Sequence, residues 1–228
     1  MRALSALLWL VVLVTTASGP PATLPPSAVR ALADSLDAAR PHERHLWRDT
    51  PALNADGTVS AYVEITRGDR RKWEFDMARQ AVVIDRVIPE EPGGYPVNYG
   101  FVPQTVSYDG DPLDALVLGR PLQGGEIVRG VIVGLLRIED DKGLDAKVVL
   151  SPPNDGGEAA HRLTEADRAR IARYFSEYKR HEPDKFSRVS GWGSADEGRA
   201  FVETMHAFFK ECRLARADAC TVEAAGIR

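Results

Sequence analysis

The chain has 228 residues, 44% of them hydrophobic, and a formal net charge of −4 at pH 7. That apolar content is enough to bury a full core, and the length, taken as a prior, points to one globular domain. The acidic balance disfavours a nucleic-acid partner, whose affinity comes mainly from basic contacts to phosphate, and it requires a local basic patch for any small anionic substrate.

Residues 1–19 carry one charged side chain, Arg2, and residues 3–14 are almost wholly apolar, followed by the small residues Thr15, Thr16, Ala17, Ser18 and Gly19. A membrane-spanning helix takes about 20 apolar residues, so this shorter run reads as a secretory signal cleaved near residues 17–19. The expected product is exported, periplasmic or secreted, with no stable membrane anchor after cleavage. The absence of a cysteine there removes a lipoprotein anchor. Residues 19–26 read as a stiff, proline-rich linker. Ser27 then caps a short amphipathic helix whose apolar positions Val29, Leu32 and Leu36 form one stripe. Residues 41–57 show no clear period, and His42 and His45 on this irregular segment read as surface histidines. Residues 20–57 are thus expected to be linker and extension, residues 58–213 the domain, and residues 214–228 a tail.

From residue 58 the periodicity becomes that of short antiparallel strands, at 58–66, 72–77 and 81–88, with further strands expected at 113–118, 127–139 and 144–150. Alternation places Glu64 opposite Val63 and Ile65, and places Lys72 and Glu74 on one face against Trp73 and Phe75. Beyond residue 160 the pattern is helical. Thr164 with Asp167 resembles an acidic cap, and Ile171, Tyr174 and Tyr178 form a buried stripe running to Lys179. Ser194 and Glu197 make a capping box, with Phe201, Met205 and Phe208 as the buried face. Strands first and helices last predict an α+β domain, a small barrel covered by helices. Cys212 and Cys220, the two cysteines of the chain, are a candidate disulfide in an oxidising compartment, against two free thiols.

Asp109, Asp111 and Asp114 fall within six residues. Two unit charges about 5 Å apart at an effective dielectric near 20 repel by roughly 3 kcal/mol, so these residues by themselves read either as a site for divalent cations or as an Asp-Gly turn with solvated acids. Gly110 lets the backbone turn, and Pro112 pushes Asp111 toward extended conformations. A calcium EF-hand is excluded, because its sixth position holds Asp114 in place of glycine and its twelfth holds Arg120 in place of glutamate. A second charged group spans residues 139–147, where Asp145 and Lys147 alternate onto one strand face. All-carboxylate ligation selects hard cations such as Mg²⁺ or Mn²⁺ over zinc. Lys72, Arg86, Lys147 and Lys179 with Tyr95, Tyr99 and Tyr178 supply the opposite charge and phenols. Acids with metals on one side and cations on the other suit phosphoryl transfer, which is largely positioning and charge neutralisation. No Gly-Lys-Ser or Gly-Lys-Thr occurs, so a nucleotide cradle of Walker type is unsupported.

The segment Asp109-Gly-Asp-Pro-Leu-Asp114-Ala resembles the signature of the soluble family I inorganic pyrophosphatases, and Tyr95-Pro-Val-Asn-Tyr-Gly100 is similar to that family's preceding segment. Glu64, Lys72-Trp-Glu74, Asp85-Arg86, Asp140, Asp145-Ala-Lys147 and Tyr178-Lys179 fall in family order, so the likeness spans about residues 60–210. It implies an OB-type five-stranded barrel with flanking helices and a Mg²⁺-dependent hydrolysis of pyrophosphate to two phosphates, Mn²⁺ being a substitute ion. Asp109, Asp114 and Asp145 would then hold the two central metals, Asp140 and Glu74 further ones, and Glu64 would act through water. Asp111 would be the general base. Lys72, Arg86, Tyr99, Lys147, Tyr178 and Lys179 would hold the phosphates, with Tyr95 shaping the pocket.

Two local features depart from the family pattern, the turn at residues 66–71 and Trp73 where a tyrosine is more usual. The leader and extension lie outside the likeness, which leaves the oligomeric state open, a homo-oligomer being one option. Rival readings are a broader phosphatase acting on nucleotides or polyphosphate, and a non-catalytic anion- or metal-binding barrel. The acidic face argues against an OB-type nucleic-acid module. A mere binder would have no need of Asp111.

Overall fold

The computed structural model describes residues 45–76 and 79–215, with the side chains of the last helix followed to Glu211. The signal, the linker, the helix expected after Ser27, and the Cys212 to Cys220 pairing lie outside the described residues and side chains. After a one-turn helix α1 (Leu46–Asp49), the chain runs through β1 (Val59–Ile65), β2 (Arg71–Asp76), β3 (Ala81–Val87), β4 (Asn98–Phe101), β5 (Asp114–Val117), β6 (Ile127–Asp140), β7 (Gly143–Leu144) and β8 (Lys147–Ser151). Helix α2 (Glu165–Glu177), strand β9 (Ser187–Gly193) and helix α3 (Ala195–Ala215) complete it.

Five strands close into a ring in the order β1, β4, β5, β8, β6, with β6 pairing back to β1. Closure removes the free strand edges that an open sheet would expose. The pairings are antiparallel except between β5 and β8. The 14-residue β6 also carries β7 and β9 on its far end. The expected α+β barrel with flanking helices is therefore present.

Alternate residues of the same strands feed two apolar clusters, as a period of two requires. Ala115, Val117, Val148 and Leu150 pack with Val202 and Met205 of α3. Leu116 and Val149 pack with Ile171, Tyr174 and Phe175 of α2. Residues 45–57, expected to precede the domain, lie against it, and Ala52 is fully buried in the first cluster. Two local features fix the ring near its opening. Gly100 on β4 runs so close to β1 that a Cβ would lie 1.8 Å from the Tyr62 carbonyl oxygen, so no side chain fits there. Buried Asn98 accepts from the amides of Arg67 and Leu122 and donates to the carbonyls of Val117 and Arg120, satisfying its whole hydrogen-bonding capacity.

Several local expectations are corrected. Strands β4 and β9 have no counterpart among the expected strands, and the strand expected at residues 144–150 is broken into β7 and β8, with Asp145 in the gap. All seven residues of β1 are buried, Glu64 among them at the wall of a cavity. The buried face of α3 is Val202, Met205 and Phe209, whereas Phe201 and Phe208 are only partly buried. The helix capped by Thr164 ends at Glu177, leaving Lys179 in the turn beyond it. Both capping boxes are formed.

Candidate active site

The hairpin β2–β3 stands beside the ring opening, and between them lies a cavity of about 360 Å³. It is lined from β1 by Glu64, from the hairpin by Lys72, Glu74, Asp85 and Arg86, and from β4 by Tyr99. The acidic loop and β5 add Asp109, Asp111 and Asp114; the β6 to β8 corner adds Asp140, Lys142, Asp145 and Lys147; the α2 end adds Tyr178, Lys179 and Lys185.

The acidic loop is an excursion between β4 and β5. Gly110 takes a φ of +87°, a left-handed conformation that glycine adopts without steric cost. Around it the Ser107 amide donates to the Asp111 carbonyl oxygen at 2.7 Å and the Asp111 amide to the Asp109 carboxylate at 3.2 Å. Asp114 sits at the start of β5, paired with Phe101, and the residue before it is tied to Thr105 at the base of the loop. Burial, and then the neighbouring charge of Asp111, raise the Asp109 carboxyl above its ordinary pKa. Lys142 Nζ lies 3.7 Å from carboxylate oxygens of both Asp109 and Asp111, an ion pair too long for hydrogen bonds.

Two lysines lie deeper. Lys147 is 1% exposed, and its ammonium donates to Asp114 and to Asp145, the latter at 2.8 Å. Burial pulls its pKa down, but the two carboxylates more than offset this and hold it well above the usual lysine value. Lys179 donates to Asp140 at 2.6 Å and to Asp141 at 3.0 Å. Both lysines line the cavity and are paired there with acids.

On the hairpin side, Lys72 pairs with Glu74 and, at 3.1 Å, with Asp85. Arg86 pairs with Asp85 and, at 2.9 Å, with Glu182 beyond α2. The register shift after Lys72 leaves Asp85 as the extra residue of a β-bulge, since Lys72 faces Arg86 and Trp73 faces Ile84. A bulge re-aims side chains, and here Asp85 joins its neighbour Arg86 to Lys72. The sequence pattern names the Asp85-Arg86 pair but gives no part in the site to Asp85, which the bulge brings to Lys72. Lys142 and Lys185 were also missed, and nothing local marks them as more than surface lysines.

Tyr95 does not line the cavity. It is 1% exposed and packs behind the wall, with ring centroids 5.2 Å from Tyr99 and 5.1 Å from Tyr174. Its part is to support Tyr99. Expected site residues from residue 64 to residue 179 are otherwise gathered at one cavity.

Glu64 is the anomalous acid. Burial raises its pKa to about 8, opposed by the Phe75 amide, which donates to its carboxylate at 2.7 Å, and reinforced by the charges of Asp114 and Glu74. Between the ordinary 4.5 and about 8 the folded state holds a proton that the unfolded chain has released. Stability therefore falls as pH rises through that window, by about 3 to 5 kcal/mol in total. In chelator-treated protein, Glu64→Gln should melt close to wild type near pH 4.5 and increasingly above it toward pH 9, as read by thermal denaturation across about five pH values. A difference that stays constant over the range would mean that Glu64 is ionised when folded.

The donor set is all oxygen on the acidic side, with no cysteine or histidine among the lining residues, which fits a hard divalent cation better than zinc. Among the described residues no three acids converge closely enough to enclose an ion, and lysines stand among them. The fit therefore rests on donor chemistry.

Comparison with known proteins agrees with this cavity. Residues 61–210 match a family model described as inorganic pyrophosphatase. The inorganic pyrophosphatase of Saccharolobus solfataricus is 36% identical over 160 residues, covering 67% of this chain and 92% of that one. The crystal structure of the inorganic pyrophosphatase from Thermus thermophilus superposes with a TM-score of 0.67 at 35% identity, covering 73% of this chain and 99% of that one. A structure of the enzyme from Coxiella burnetii gives 0.65 at 32% identity, covering 70% and 99%. With a closed five-stranded ring, a cavity that gathers the acids and bases of the sequence pattern, and a match over most of its described length, the chain belongs to the family I inorganic pyrophosphatases.

Proposed function

We propose that this protein hydrolyses inorganic pyrophosphate to two phosphates with Mg²⁺ as its divalent ion. The observation that carries this reading is one cavity in which Asp109, Asp111, Asp114, Asp140 and Asp145 lie across from Lys72 and Arg86 and their partners Glu74 and Asp85 on the hairpin, in a chain of this family. Asp109, Asp114 and Asp145 would hold the central ions, with Asp140 and Glu74 holding others. Bound Mg²⁺ would neutralise phosphoryl oxygens and lower the pKa of water.

The chain's own side chains supply the rest. Asp111 lies at the mouth of the cavity and takes the proton of the attacking water. Lys72 and Arg86 hold the leaving phosphate, and the Tyr178 hydroxyl adds a donor. Lys72 and Arg86 already have acid partners, so an entering polyanion exchanges one charged partner for another and the desolvation cost is modest. Lys147 and Lys179 act mainly by fixing the acids they pair with. Bond cleavage is in line and needs no phosphorylated side chain.

Phosphate release from pyrophosphate, measured with Mg²⁺ and with chelator, tests the reading. Strong Mg²⁺-dependent release is expected; none would overturn it, and equal release from ATP or polyphosphate would move it to the broader phosphatase. The apolar run after Arg2 supports export of the enzyme, its action then lying outside the cytoplasm.

A further inference from the structure

Residues 45–50 precede the family match at residue 61 yet hold the base of the acidic loop. The Trp47 indole N–H donates to the Thr105 carbonyl oxygen at 2.9 Å. The Trp47 carbonyl oxygen accepts from the Gln104 amide at 2.8 Å, and the Gln104 side chain donates to the Arg48 carbonyl oxygen at 2.9 Å. From the other side, α3 closes on the same segment. His206 Nδ1 lies 2.7 Å from the Gln104 carbonyl oxygen, and the Val106 amide donates to the Met205 carbonyl oxygen at 3.1 Å. The Trp47 ring also packs edge-on against Phe209 of α3, with centroids 5.1 Å apart.

Gln104 has a φ of +51°, a left-handed conformation that a non-glycine residue keeps only where its surroundings over-determine it. Its amide, its carbonyl and its side-chain amide are all engaged by these partners. The next residue passes the constraint to the acids. Thr105, fully buried, donates through its hydroxyl to the Val102 carbonyl oxygen at 2.6 Å and accepts there from the Leu113 amide at 2.9 Å. Leu113 directly precedes Asp114, and Val102 and Leu113 also close the loop's base through their own backbone bond. Trp47 is thus two hydrogen bonds from the start of β5, along a path that runs through the root of the loop bearing Asp109 and Asp111.

We propose that Trp47 is a positioning residue for the reaction: the N-terminal extension, with α3, clamps residues 103–106 and so fixes the arm that carries Asp109, Asp111 and Asp114. This rests on the catalytic reading above. The segment that supplies the clamp from this side precedes the residues matched by the family model.

The test compares Trp47→Phe, which keeps the ring against Phe209 and the backbone bond to Gln104 but loses the indole donor, with Trp47→Ala, which loses the ring as well. Two readouts are taken on the full mature chain: hydrogen exchange of the 103–113 segment in chelator, and kcat and KM for pyrophosphate well below the melting temperature. The expected result is faster exchange in both variants. It comes with a fall in kcat of about threefold to tenfold for Trp47→Phe and of up to about a hundredfold for Trp47→Ala, and little change in KM. Wild-type exchange across 103–113 in Trp47→Phe overturns the clamp. Faster exchange with unchanged kcat overturns its catalytic consequence and leaves a structural brace. Should Trp47→Ala fail to fold, Trp47→Phe decides alone. If wild type itself releases no phosphate, the catalytic reading fails and takes the positioning role with it, while the exchange comparison still reports on the contact.

Discussion

Replacing Asp111 by asparagine should lower kcat for pyrophosphate by about 10²- to 10⁴-fold, the range for loss of a general base, with KM little changed. The prediction follows from where the side chain lies. Asp111 is at the mouth of the cavity with 70% of its side chain exposed, and its one ion pair among the described residues is the long contact to Lys142. Its structural bonds to the loop are made by its backbone, through its carbonyl oxygen to the Ser107 amide and its amide to Asp109. An amide of the same shape leaves those bonds intact and cannot take a proton. The melting temperature should therefore stay within about 2 °C of wild type, since an exposed substitution usually changes stability by no more than about 0.5 kcal/mol. Steady-state phosphate release with Mg²⁺ checks the rate, and a loss smaller than about threefold would assign the proton to another acceptor.

Lys147→Met should be the most destabilising single change in the cavity. The ammonium is 1% exposed, bonded to Asp114 and Asp145, and faces the rings of Tyr99 and Phe175 at 5.7 and 5.5 Å. Methionine fills similar volume without charge, so the loss is chiefly electrostatic: two partly buried carboxylates remain with no buried counter-ion. Breaking a buried pair by removing one partner costs about 3 to 5 kcal/mol, which for a domain of this size lowers the melting temperature by roughly 6 to 20 °C. Added Mg²⁺ should narrow the difference, because a cation that binds the folded state stabilises it by mass action and the exposed pair of acids attracts it more strongly. Calorimetry with chelator and with Mg²⁺ reads both effects. A variant that melts with wild type in chelator would show that Asp114 and Asp145 do not depend on Lys147.

The acidic loop and both capping boxes could be read from the chain because each is a short-range pattern. Asp109, Asp111 and Asp114 lie within one turn and its exit, and Ser194 with Glu197 are three residues apart. Strands β4 and β9 escaped because their sequences, Asn-Tyr-Gly-Phe and Ser-Arg-Val-Ser-Gly-Trp-Gly, are rich in residues that disfavour strands in isolation. They are strands because β1 and β5 enclose the first and the long β6 pairs with the second. The shifted face of α3 has a similar origin. Val202 and Phe209 turn inward because the helix is docked against the ring, whereas periodicity alone fixes a stripe to within one position.

By itself the sequence determined the class of fold, the positions of the acids and the family to which they belong. These depend on spacing, turn chemistry and helix caps, which act over a few residues. Only the tertiary structure decided which charges meet. Lys147 reaches Asp114 across 33 positions, Lys179 reaches Asp140 across 39, and Arg86 reaches Glu182 from a bulged hairpin. The grip of Trp47 on the loop at Thr105 spans 58. Such partnerships are set by ring closure, strand register and helix docking, and Coulomb energy depends on the resulting distance and burial, neither of which is written in the local order of residues.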